Sequence, residues 1–89
     1  MNPPEVATVP EAQLRRALWR CRRGMKELDL VLERFARGPL RHCSPAERAR
    51  FEALLGLPDP LLADYLLGGM APHGPAMAQL VTRIRAYVA

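Results

Sequence analysis

The stretch from Arg15 to Asp29, RRALWRCRRGMKELD, holds most of the side chains in this chain that can do chemistry. Six cations lie between Arg15 and Lys26, around the only tryptophan, Trp19. A guanidinium presents a planar fork of donors that matches carboxylates and phosphates, and it stacks on an indole face. Tryptophan and arginine are also the side chains that most often anchor protein interfaces. Just beyond, Arg23 and Glu27 place opposite charges around Gly24, where a partner's backbone can approach closely. This chemistry is recognition. Each feature also has a plainer reading: Trp19 packing on a neighbouring helix, the arginines a solvated face, Gly24 a helix cap, and Glu27 a first-turn acid favoured by the helix dipole.

Reactive groups elsewhere are sparse. His42 and Cys43, with Cys21, suggest a metal only faintly, because closed zinc sites need four ligands at tighter spacing. Two cysteines without a CxxC motif make no disulfide framework and are expected to be reduced thiols. Ser44 is accounted for by helix capping, and neither His42 nor His73 has a carboxylate or nucleophile at a productive spacing. The expectation is a binding protein without catalytic residues or metal.

The recognition segment must be carried by helices. Leu14, Ala17, Leu18 and Cys21 follow 3, 4 and 7 spacing and predict a first helix from about Glu11 to Arg22. Trp19 falls roughly 140° from Leu14 on that wheel, off the apolar stripe. Gly24 interrupts the pattern, since glycine costs about 1 kcal/mol inside a helix. Leu28, Val31, Leu32 and Phe35 then predict a second helix from about Met25 to Ala36, ended by Gly38-Pro39. Ser44-Pro45-Ala46-Glu47 reads as a capping box with proline at the first helical position. It opens a third helix whose Phe51, Leu54 and Leu55 face inward, and Gly56 stops it. Asp59-Pro60 predicts a similar start for a short fourth helix carrying Leu62, Tyr65 and Leu66, closed by Gly68-Gly69. A last helix opens near Gly74-Pro75 and buries Met77, Leu80, Val81, Ile84 and Val88. No strand signal occurs. The fold class expected is all-α, a compact bundle of about five short helices forming one domain over residues 11–89, after a flexible, proline-rich lead-in at 1–10.

Composition bounds the function. The chain has 89 residues, 49% of them apolar, enough for one small core and little room for an enclosed active site. No apolar run is long enough to cross a bilayer, and the first ten residues lack the charges of a signal or transit peptide, so the expected compartment is the cytoplasm. The net charge is +4, carried almost wholly by arginine, while Phe51 to Thr82 has three acids and no lysine or arginine. Such a local positive field points to an anionic partner.

The run Trp19-x-Cys21-x-Arg23-Gly24-Met25-x-Glu27-Leu28-Asp29 resembles the signature of the succinate dehydrogenase assembly factor family, which promotes flavinylation of dehydrogenase and fumarate reductase flavoprotein subunits. Arg23, Gly24 and Glu27 match the family's Arg-Gly-x-x-Glu hallmark, and Arg16 fits a family arginine. Phe51, Leu54, Leu55, Asp59-Pro60 and Tyr65-Leu66 match its second half, so the resemblance spans about residues 14–87. Departures lie in the N-terminal prolines and the Ala71 to Pro75 turn. The resemblance implies a five-helix fold and a non-catalytic partner of the FAD-loaded flavoprotein subunit of succinate dehydrogenase or fumarate reductase. It also implies that FAD belongs to the client and is not stably bound by this chain. Partner-binding residues would be Arg16, Trp19, Arg23, Gly24, Met25 and Glu27, on a monomer that neither inserts in membranes nor binds nucleic acid. The alternative is a small basic nucleic-acid-binding or antitoxin-like protein. Against it, the basic segment has no Asn or Gln to read base edges, and acids follow at Glu27, Asp29 and Glu33.

Overall fold

A computed structural model describes residues 10–87 of the chain. The lead-in over residues 1–9 and the inward role read for Val88 lie outside the described residues. Five α-helices follow in order: α1 Glu11–Arg20, α2 Lys26–Arg37, α3 Pro45–Leu55, α4 Asp59–Leu66 and α5 Pro75–Ala86. A 3-10 turn, Pro39–His42, separates α2 from α3. No strand occurs among the described residues.

Helices α2 and α5 form the spine. α1 packs on α2, α3 packs on α5, and α4 closes over both. The apolar spacing explains the arrangement: Leu28, Leu32 and Phe35 recur on one side of α2, and Leu80, Val81 and Ile84 on one side of α5, all buried. At the centre the rings of Phe35 and Phe51 lie 5.5 Å apart, tilted by 32°. Leu54 and Leu62 complete this core, each fully covered. Burial of one such side chain contributes about 1.5–3 kcal/mol. Val31, Leu18, Tyr65 and Met77, read as inward, pack at its margin and stay half-buried.

The capping box forms as the sequence predicts. The Ser44 Oγ accepts from the Glu47 N–H at 3.2 Å, and the Ser44 N–H donates to Glu47 Oε1 at 3.0 Å. Past α4, Gly69 takes φ +81°, letting the Met70 N–H donate back to the Asp64 carbonyl at 3.0 Å.

Three local readings are corrected. α1 ends at Arg20, not Arg22, because the N–H groups of Arg23 and Gly24 are taken by a side chain and not by the helix. Asp59 does not cap α4; Pro58 occupies that position and Asp59 is the first helical residue. The 3-10 turn also went unread, and with it the burial of Leu40 and Cys43.

Candidate functional site

The corner between α1 and α2 is built around one carboxylate. Asp29, in the first turn of α2, reaches back over the connection. Its Oδ1 accepts from the Arg23 N–H at 2.8 Å and its Oδ2 from the Gly24 N–H at 3.2 Å. These two bonds hold Gly24 at φ +85°, a conformation that costs other L-residues about 1–2 kcal/mol. A Cβ built on Gly24 would meet nothing within 4 Å. Glycine is therefore required here by backbone conformation and not by crowding within the chain, and the space above it is open. Met25 follows in extended conformation (φ −113°, ψ 107°), exposed, and α2 begins at Lys26 with Glu27 exposed in its first turn.

Arg23 sits at this corner but turns inward. Only 16% of its side chain is accessible. Its Nη2 donates to the Leu55 carbonyl, one of the carbonyls left unpaired at the end of α3. Its Nε lies 3.6 Å from Asp59 Oδ1 at the start of α4 and has no hydrogen-bond acceptor. The guanidinium thus ties the α1–α2 corner to the α3–α4 junction. Arg20 makes a parallel tie: Nη1 donates to Glu52 Oε1 at 2.5 Å and Nη2 to the Glu52 carbonyl at 3.5 Å.

The other cations of the segment face solvent. Arg15, Arg16, Arg22 and Lys26 are exposed, and none forms an ion pair among the described residues. Trp19 is 74% accessible, the most exposed large apolar side chain described. The structure therefore brings Gly24, Met25 and Glu27 to one open corner, with Trp19 and Arg16 on the last turns of the helix leading into it.

Both cysteines are buried. Burial pushes the Cys21 thiol up to about 12, and the Cys43 thiol is also raised, by burial and then by the Glu47 carboxylate. Among the described residues no group of three His, Cys, Asp or Glu side chains is placed to hold a metal.

The family described as "Flavinator of succinate dehydrogenase" matches residues 15–88. The chain belongs to the flavinator family. The FAD assembly factor SdhE of Methylococcus capsulatus is 44% identical over 77 residues, spanning 86% of this chain and 93% of the relative. The same-named protein of Coxiella burnetii is 43% identical over 67 residues, covering 75% of this chain and 82% of its own length. That of Psychrobacter arcticus is 34% identical over 86 residues, covering 97% and 88%. No solved structure matches. Within this flavinator-family chain the match takes in α1 from Arg15 and every later helix, and no described helix is long and apolar enough to cross a membrane.

Of the six residues singled out from the flavinator signature, five are surface groups and Arg23 is mostly covered; its outward placement is corrected accordingly. A helical wheel cannot locate Arg23, since the chain has left the helix by that point. Sequence reasoning also gave no role to Asp29, whose carboxylate builds the corner, nor to Asp59 and the Leu55 carbonyl as Arg23's partners. A signal for Asp29 existed: a short carboxylate in the first turn after a glycine is well placed to accept from the preceding backbone.

Proposed function

We propose that this chain is a non-catalytic assembly factor that binds the FAD-loaded flavoprotein subunit of succinate dehydrogenase and promotes covalent attachment of the flavin. The corresponding subunit of fumarate reductase is a second client of the same kind. One copy acts per client, in the cytoplasm, where Cys21 and Cys43 stay free and unpaired. Gly24, Met25 and Glu27 dock on the client near its FAD, with Arg16 and Trp19 widening the contact and Arg23 holding the corner in shape from beneath.

One observation carries this reading: in a flavinator-family chain, Gly24 holds a positive φ under open space, so the corner offers bare backbone just before exposed Met25 and Glu27. A client segment can approach that backbone more closely than any side chain would allow. The reacting groups, a client histidine and the flavin 8α-methyl carbon, both belong to the client, and the flavin supplies the bond-forming chemistry. The factor's contribution is geometric. It stabilises the client conformation in which histidine and flavin are held in reach, and bringing reacting groups into a near-attack arrangement is itself worth several kcal/mol of barrier.

The test is in-gel flavin fluorescence of the succinate dehydrogenase flavoprotein subunit in cells lacking their own assembly factor. Expression of this chain should restore covalent flavin, and Glu27→Ala should restore less. Equal fluorescence with and without the chain would refute the proposal.

A further inference from the structure

We infer that the flank of the α1–α2 hairpin is a second docking surface, a cationic groove for an acidic segment of the protein client. The inference rests on the reading of this chain as a client-binding factor, and it extends the contact from the Gly24 corner through the shared Trp19 to Arg15, Leu18, Arg22 and Arg37. A shallow groove of about 260 Å³ runs along the hairpin, lined by Arg15, Leu18 and Trp19 of α1, by Arg22 just past its end, and by Glu33 and Arg37 of α2. Arg15 lies three residues before Leu18 and four before Trp19, which puts it beside both on the α1 surface, and Arg22 follows in the turn after the helix. Across from them, Arg37 and Glu33 approach to 3.8 Å, with Glu33 mostly covered and Arg37 largely in solvent.

The charge of this groove selects its occupant. Three guanidinium groups face one carboxylate, and Arg15 and Arg22 have no ion pair among the described residues. Several other arginines meet acids of the chain, Arg20 with Glu52, Arg23 with Asp59 and Arg83 with Glu47, whereas in this groove two unpaired guanidinium groups flank an exposed indole. An incoming segment with two or more carboxylates completes the pairing. An apolar side chain on that segment would cover the Trp19 indole, which leaves 74% of the residue in water. Exposed indole flanked by arginine is the composition of an interface anchor. A second copy of the same groove is a poor occupant, because three arginines would face three. A nucleic acid backbone would leave Leu18 and the indole without an apolar partner. An acidic peptide segment with one apolar side chain pairs Arg15 and Arg22 and covers the indole, while Glu33 keeps its own partner Arg37.

The chain's single tryptophan makes the groove directly observable. The full chain, labelled with fluorotryptophan, is titrated with unlabelled, FAD-loaded flavoprotein subunit of succinate dehydrogenase and followed by fluorine NMR. Flavinylation is scored separately on the same samples. The Trp19 resonance should shift on binding. The double reversal Arg15→Glu with Arg22→Glu, at exposed positions that leave helical content unchanged by circular dichroism, should weaken the client at least about tenfold at low salt, with the gap narrowing as salt screens it. A resonance that stays put, with unaltered affinity in the double variant and flavinylation intact, would overturn the groove while leaving the client reading standing. Failure of the unsubstituted chain to bind or flavinylate would overturn both. A shift produced by raising the chain's own concentration, or by duplex DNA and not by the flavoprotein, would reassign the groove to a second copy or to nucleic acid and likewise overturn the inference.

Discussion

Replacing Arg23 by alanine removes two ties at once, and the structure sets their size. The Nη2 bond to the Leu55 carbonyl comes from a charged donor with 16% of its side chain exposed; such bonds contribute about 1.5–3 kcal/mol. The Asp59 carboxylate, 3.6 Å from Nε, is 40% exposed, so that pair adds no more than about 0.5 kcal/mol. Gly56, next along the chain, is exposed, and water can reach the orphaned carbonyl, which favours the lower end. The expected loss is about 2 kcal/mol, or a melting temperature lower by roughly 8–16 °C in a domain of this size. Glu27→Ala removes an exposed first-turn acid and should cost about 0.5 kcal/mol at most, the worth of its interaction with the helix dipole. Urea unfolding followed by far-UV circular dichroism compares the two directly, and Arg23→Lys should recover only the small ion-pair share. A stability for Arg23→Ala within about 0.5 kcal/mol of the parent would refute the clamp and return Arg23 to the docking surface.

Three further outcomes follow from the same geometry. Gly24→Ala should cost about 1 kcal/mol in urea unfolding from positive φ alone, with no clash, since no atom lies within 4 Å of the added Cβ. Glu47 has its carboxyl held below the ordinary range, first by the Ser44 backbone N–H and also by Arg83. A lowered folded-state value means that its stabilisation is complete above the unfolded-state value of about 4.3 and is lost as pH falls through the folded-state value. Urea midpoints measured down a pH series should therefore decline below about 4.3 less steeply in Glu47→Gln than in the parent. Cys21, buried and pushed up to about 12, should react with a thiol-specific disulfide reagent only through opening of the fold, so its rate should climb with urea; a fast reaction in native buffer would contradict its placement.

Much of this was legible in the sequence because it is local. The capping box at Ser44, the apolar spacing of α2 and the outward position of Trp19 all follow from one helix read by itself. The corner was only partly legible. Gly24 announced a break, but the hydrogen bonds that Asp29 accepts from the Arg23 and Gly24 N–H groups depend on how the chain turns between them. The partners of Arg23 lie 32 and 36 positions away, beyond the reach of any periodic pattern. The same blindness assigned Asp59 to a cap: an aspartate before proline is a good capping candidate, and only the arrival of Arg23 from the α1–α2 connection shows what its carboxylate faces. The 3-10 turn at Pro39–His42 was missed because four residues carry no period.

The placement of Arg23 changes what its presence in a family signature means. A residue can be essential to docking without touching the partner if it fixes the shape of what does. Here Asp29 draws two backbone N–H groups together from one side, and Arg23 anchors the same corner to α3 and α4 from the other. Between them Gly24 has no freedom to relax, so the bare backbone and the Met25–Glu27 step are presented already formed. Preorganisation of this kind spares the complex the entropy of ordering a loop. It also makes a discriminating demand. If Arg23 acts through shape, a flavinylation defect in Arg23→Ala should ease at low temperature or with added osmolyte, whereas the defect in Glu27→Ala, which leaves the corner intact, should respond to neither.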